Sequence, residues 1–154
     1  MTPATLQALR RLLFFSTEEA AAMIGGVSPR SWQYWERGER RIPEDVAAAM
    51  RWLCEWRTQA ISSAHDRIEA LLADRGGAAL VWYPSIDDWL TLPGREPVMW
   101  RPQQSVCAAL LAEFTGCVTL VAFDGRDYAA WLAGRADNEA MRAQWAAERA
   151  RSNS

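Results

Sequence analysis

Residues 28–38 read Ser-Pro-Arg-Ser-Trp-Gln-Tyr-Trp-Glu-Arg-Gly, and no other stretch limits the fold of this chain so strongly. Ser28 suits a helix cap, Pro29 the first helical turn and Gly38 a stop. At about 100° per residue the rod between them has two unlike faces. Trp32, Trp35, Glu36 and Ser31 fall on one side, and Arg30, Gln33, Tyr34 and Arg37 on the other. Two indoles on one side require a core behind the helix. Arg and Gln can grip guanine and adenine edges bidentately, so the opposite side fits a polar target. A merely solvated helix face is the plainer alternative.

The neighbouring segments supply that core. Residues 4–15 predict a first helix, with Leu6, Leu9 and Leu13 in one stripe that also contains Arg10. Ser16 and Glu19 have the spacing of a capping box and open a second helix that runs to about Ile24. Ala20, Ala21 and Ile24 face inward, and the alanines let another helix come close. Gly25-Gly26 breaks this helix. Arg40, Arg41 and Pro43 form a loop after the third helix. A fourth helix over residues 43–74 follows from the spacing of Val46, Met50, Leu53, Ile61, Ile68 and Leu71. Unbroken, it would span about 48 Å; Ser62-Ser63 is the place for a break. Such a length points to a strut or an interface.

Gly76-Gly77 marks a boundary, dividing residues 1–75 from residues 76–154. Beyond it the pattern predicts strands at 79–83, 98–100 and 117–123, and helices at 85–90, 103–114, 127–133 and 138–149. Residues 151–154 are expected to fray. The fold class is therefore α+β and mostly α. It comprises an N-terminal helix-turn-helix bundle of four to five helices and a small C-terminal α/β dimerisation region.

Composition narrows the function classes. Half of the 154 residues are apolar, enough for a core. No apolar run reaches the roughly 18 residues of a membrane span, and no signal-peptide pattern opens the chain, so a cytoplasmic protein is expected. Cys54, Cys107 and Cys117 have no metal spacing and are an odd number for disulfides; buried thiols are the expectation. His65 lacks partners at ligating spacing. Asp87, Asp88, Asp124 and Asp127 have no nucleophile, metal cluster or phosphate loop beside them and are read as helix caps. Neither catalysis nor a metal or cofactor is expected. The net charge is −2, yet residues 1–41 hold six arginines against four glutamates, a balance of +2 that leaves −4 for the rest. Every basic residue is arginine, so one arginine alone says little about function. A positive head on an acidic body still fits a head that meets phosphate.

Three short helices with a tight second turn predict a helix-turn-helix whose third helix enters the major groove. Arg30 and Gln33 are then the base contacts. Tyr34 would touch a thymine methyl or a phosphate. Thr17, Ser28 and Ser31 offer hydroxyls at helix starts, and Arg37, Arg40 and Arg41 would hold the backbone, which positions the protein without reading sequence. Arg10 in an apolar stripe and Glu36 on the indole face are costly unless paired; they are expected to pair with each other, the alternative being two separate charges that reach solvent.

Thr17-Glu18-Glu19-Ala20-Ala21, Gly25, Val27-Ser28 and Trp35-Glu36-Arg37-Gly38 resemble the XRE (Cro/repressor-like) helix-turn-helix family. Leu6-Gln7-Ala8-Leu9-Arg10, the string from Val27 through Ser-Trp-Gln-Tyr-Trp to Glu36, and Ile42-Pro43-Glu44-Asp45-Val46 are more closely similar to YdiL-like proteins and the anti-CRISPR-associated repressors. Trp100-Arg101 and Gln104-Ser105-Val106 resemble the C-terminal half of that group, so the likeness covers roughly residues 3–120. It implies a homodimeric repressor that reads an inverted repeat in duplex DNA, often at its own operon, with Arg30, Gln33 and Tyr34 as reading positions. Messenger RNA is a second ligand implied by some relatives. The chain departs from the XRE pattern at Thr17, where glutamine is usual, at the acidic Glu18, and at Gly25-Gly26, which lengthens the turn by one residue. Residues from about 121 onward exceed the shorter relatives. A different class of function is a protein-interaction module, or an antitoxin-like partner, that retains the helix-turn-helix fold.

Overall fold

The computed structural model of the chain describes residues 1–152. It is mostly helical, with eight α-helices and one two-stranded parallel sheet among the described residues. Helix α1 (Pro3–Leu12) starts at Thr2, whose hydroxyl accepts the Thr5 N–H. It ends before the expected residue 15 because Phe14 adopts a left-handed φ of 67°, which turns the Phe15 N–H back to the Arg10 carbonyl. Helix α2 (Thr17–Ala20) opens with the Ser16–Glu19 capping box. It runs on into a π turn (Ala21–Gly25), which uses one more residue per hydrogen-bonded loop than an α turn. Gly26, at φ 58°, closes it. Helix α3 (Pro29–Glu36) begins at Ser28, whose Oγ accepts the Ser31 N–H.

Helix α4 (Glu44–Arg75) is a single helix of 32 residues, about 48 Å long. Ser62-Ser63 does not break it, since Trp56, Ala60, Ala64 and Ile68 keep one continuous packed stripe on either side of that pair. Strand β1 (Ala78–Trp82), helix α5 (Ile86–Leu90), a 3-10 turn (Pro97–Met99), helix α6 (Trp100–Glu113), strand β2 (Val118–Ala122), helix α7 (Gly125–Leu132) and helix α8 (Glu139–Ser152) complete the chain. The strand expected at residues 98–100 is not formed. Pro97 presets a helical φ, the Met99 N–H turns back to the Glu96 carbonyl, and Trp100 begins α6 instead. At the C-terminus, Arg151 and Ser152 belong to α8 rather than to a frayed end, while residues 153–154 lie outside the described residues.

β1 and β2 pair in parallel, with Ala78 opposite Val118 and Trp82 opposite Ala122. Parallel neighbours need a crossover, and α5 and α6 provide it. Two strands alone are marginal, and α8 packs across both of them. Three apolar clusters hold the molecule together. The first joins α1, α2, α3 and the start of α4 through Leu6, Leu13, Trp32, Trp35, Met50 and Leu53. The second is aromatic, with Tyr83, Trp89, Trp100, Phe123, Tyr128 and Trp145. The third lies between α4, α6 and β2 at Ile68, Val106, Leu110 and Val118. Met99 packs against both the first and the second cluster.

The cysteines divide three ways. Cys107 is buried, Cys54 is half-buried and Cys117, in the turn between Gly116 and β2, is exposed. Of the aspartates read as caps, Asp124 caps α7 through the Arg126 and Asp127 N–H groups. Asp88 instead accepts the hydroxyl of the true α5 cap, Ser85, and Asp127 pairs with Arg149 and accepts the Trp145 indole N–H.

Candidate nucleic-acid interface

The two faces of α3 meet different surroundings. Trp32 is fully buried and Trp35 nearly so, their rings edge to face with centroids 5.5 Å apart. An indole of this kind removes about 150–250 Å² from water, worth about 4–6 kcal/mol as an upper bound. Gly25 makes the fit possible: a Cβ there would stand 3.0–3.3 Å from Val27, Trp35 and Trp32. The π turn of α2 therefore rests directly on the back of α3.

Arg10 and Glu36 fasten that packing. Arg10 Nε lies 2.6 Å from Glu36 Oε1 and Nη2 lies 3.2 Å from Oε2. Trp32 Nε1 donates to the same Oε1 at 2.7 Å, and Arg10 Nη1 donates to the Phe15 carbonyl at 2.9 Å. Burial pushes the Glu36 carboxyl up, but the hydrogen bonds from Arg10 and Trp32 outweigh it and hold the group below its ordinary 4.5. Arg10 and this carboxylate together tie α1, the turn after α1 and α3.

On the outer face Arg30, Gln33 and Arg37 are exposed, as are Arg40 and Arg41 just beyond. Tyr34 organises them. The guanidinium carbons of Arg30, Arg37 and Arg40 lie 5.7, 5.3 and 4.7 Å from its ring centroid, and Arg30 Nε donates to its hydroxyl at 2.7 Å. The Tyr34 carbonyl accepts the Glu39 and Arg40 N–H groups, which folds the loop after α3 back under the ring. Three cations on one ring attract the ring but repel one another, and an anion set among them would relieve that repulsion. Arg37 has an exposed partner in Glu39 at 2.8 Å. Ser28 and Ser31 sit at the head of α3 with their hydroxyls 3.1 Å apart, Ser28 being engaged as the cap. Thr17 occupies the first position of α2 and is half-buried. Arg30, Tyr34, Arg37 and Arg40 thus share one surface, with Gln33 exposed on the same helix.

Two features were not foreseen from the residues. Tyr34 as a platform for arginines was signalled only by Arg30 four residues before it and Arg37 three after. The second is a clamp between Glu19 and Arg101, two residues far apart in the chain: Arg101 Nε and Nη2 both reach Glu19 Oε1, at 2.8 and 2.7 Å. Nothing in the spacing of the two announces it.

No helix among the described residues is long and apolar enough to cross a membrane, and no group of three metal-ligating side chains occurs among them. The Aca2/YdiL-like family model matches residues 1–118. A protein named Aca2 repressor, from Pectobacterium phage ZF40, is 40% identical over 114 residues, which are 73% of this chain and 95% of that protein. A protein named YdiL, from Escherichia coli (strain K12), is 29% identical over 109 residues, 70% of this chain and 90% of that one. The chain belongs to the Aca2/YdiL-like family. Most of β2, and all of α7 and α8, lie beyond the matched region.

Proposed function

We propose that this chain is a dimeric, sequence-specific DNA-binding repressor of its own or a neighbouring operon. Residues 1–75 form a helix-turn-helix head of the Cro/repressor (XRE) type, and residues 76–154 pair two subunits. The observation that carries the reading is α3, braced by buried indoles on one side and presenting Arg30, Gln33, Tyr34 and Arg37 on the other. The name of the phage relative, a repressor, agrees with it. In this reading Arg30 and Gln33 contact base edges, Tyr34 a base or phosphate, and Arg37, Arg40, Arg41, Ser28, Ser31 and Thr17 the backbone. Repression is steric, by occupation of a promoter in the cytoplasm.

One short helix reads too few base pairs, so two copies bind an inverted repeat with heads about 34 Å apart. The body offers a surface for pairing. Among the described residues β1 has one strand neighbour, and on its other edge α6 side chains hold the Val81 and Tyr83 carbonyls. Beside them lies a cleft of about 490 Å³ lined by Trp56, Ile68, Leu71, Leu80 and Val106. Such a concave apolar surface fits a second chain.

Fluorescence anisotropy on the upstream promoter duplex across a salt series tests the reading. Arg37, Arg40 and Arg41 from two subunits make six phosphate contacts, so affinity should fall about 10³-fold between 50 and 200 mM salt. The double variant Arg30→Ala, Gln33→Ala should lose the preference for the promoter and keep both dimer mass and thermal stability. Binding that is indifferent to sequence and salt would instead favour a protein-interaction module built on the same head.

A further inference from the structure

The N-terminal end of α6 is wired to both ends of the molecule. Trp100 Nε1 and Gln104 Nε2 both donate to the Tyr83 carbonyl at the end of β1, at 3.0 and 2.9 Å. Arg101 lies on the Trp100 ring at 3.9 Å and donates to Gln104 Oε1 at 2.8 Å. Its remaining nitrogens grip Glu19 Oε1. Glu19 Oε2 in turn accepts the Ser16 N–H at 2.8 Å. One turn further along, Ser105 Oγ donates to the Leu12 carbonyl at the end of α1 (2.6 Å) and accepts from Arg57 of α4 (2.7 Å). Gln104 and Ser105 are buried. The same carboxylate that closes the capping box of α2 is therefore held from the body, and the end of α1 is held from the same turn of α6.

The first cluster packs α1 to α4 around Trp32 without α6. Helix α4 runs from that cluster into the third, and Met99 touches both the first and the second. To that packing the Arg101–Glu19 clamp and the Ser105–Leu12 bond add directional polar contacts that hold α2 and the end of α1 against α6. Arg101 is suited to this, because its planar fork meets Glu19 and Gln104 at once.

We infer that Arg101, through Glu19 and Gln104, is a positioning residue that sets the half-site spacing this protein accepts. The inference rests on the dimeric DNA-binding reading. If the bodies of two copies are joined and each head is locked to its body, the two α3 helices stand at one separation and one relative twist. Each base pair added between half-sites moves one half-site by about 3.4 Å and rotates it by about 34°. A locked pair cannot follow both changes.

The test uses full-length wild type, Arg101→Met and Glu19→Gln. Glu19→Gln keeps an oxygen for the Ser16 cap while removing the charge that Arg101 holds. The probes are a duplex selected from a random-sequence pool by the wild type, the same duplex with one or two base pairs added or removed at its centre, and a single half-site. Wild type should lose about tenfold or more in affinity for each one-base-pair change, since the second head no longer binds as an intramolecular partner. Both variants should bind the half-site within about twofold of wild type and show less than about threefold dependence on spacing, the loosened heads recovering part of that intramolecular gain at every spacer. Spacing dependence equal to wild type in the variants overturns the inference. So does half-site affinity that falls in step with full-site affinity, which would make Arg101 a mere support for α2. A wild type that binds no duplex, or binds all spacers alike, sinks the dimeric reading itself, and the inference with it.

Discussion

Replacing Glu36 with alanine strips the partner from Arg10, whose ion-paired atoms have almost no contact with solvent: the two side chains are only 11% and 7% exposed. The variant leaves a buried guanidinium with the Phe15 carbonyl as its remaining acceptor and the Trp32 N–H with none. Removing one member of such a pair costs about 3–5 kcal/mol. For a chain of this size that lowers the melting temperature by about 6–20 °C, a large part of a total stability of about 5–15 kcal/mol. The pair Arg10→Met, Glu36→Leu, measured as a double-mutant cycle by urea denaturation, should recover much of the loss, because the uncompensated charge is gone. The pH profile follows from the same contact. The folded-state value of Glu36 lies below its ordinary 4.5, so its contribution is in full above the unfolded value and is lost as pH falls through 4.5 to the lower folded value. Wild type should weaken through that window more steeply than Glu36→Gln. A single-variant cost under about 1 kcal/mol, the range of an exposed pair, with coupling near zero, would refute the account of α1 and α3 as joined by this carboxylate.

Neighbouring glycines in the turn before α3 should fail for different reasons. Gly25→Ala pushes a methyl against Trp32, Trp35 and Val27 and should cost about 1–3 kcal/mol by overpacking, visible as a near-ultraviolet circular-dichroism change at the indoles. Gly26→Ala meets no neighbour but forces a side chain to φ 58°, so it should cost about 1–2 kcal/mol without that spectral change. Thiol labelling at pH 8 should separate the cysteines. Cys117 is exposed and should react at once. Burial pushes the Cys107 thiol up to about 12, a hydrogen bond from Gln103 opposing it only in part, so it should react only as fast as the protein unfolds.

Helical period carries most of what the sequence discloses here. Residues 28–38 announce both an inward and an outward face because apolar and polar residues repeat in step with a helical turn. Helix α4 shows its helical spacing in the same way, although the pattern leaves room for a break at Ser62-Ser63 that the fold does not take. Arg10 and Glu36 are visible as a problem before they are visible as a contact, since an arginine inside a leucine stripe demands an acceptor. Residues 98–100 mislead because Val-Met-Trp has strand-like chemistry, whereas the proline just before it sets the backbone. The clamp between α2 and α6 is hidden for another reason. Glu19 has a sufficient local duty as the capping-box residue, and nothing local reveals that its second oxygen is free for a distant arginine. The arginines around Tyr34 are each ordinary, and only the fold of the loop after α3 brings Arg40 onto the ring.

The stretch that follows the matched region is woven into the body rather than hung from it. Arg142 of α8, almost wholly enclosed, joins Asp137 to Thr91 and to the Tyr83 hydroxyl, and Arg95 reaches both that hydroxyl and Glu139. Trimming the chain back to residue 118 would take away the lone ladder partner of β1 and uncover the aromatic cluster at a stroke. Shortened versions made for crystallisation or for domain dissection would thus report on a damaged body, whatever the state of the head.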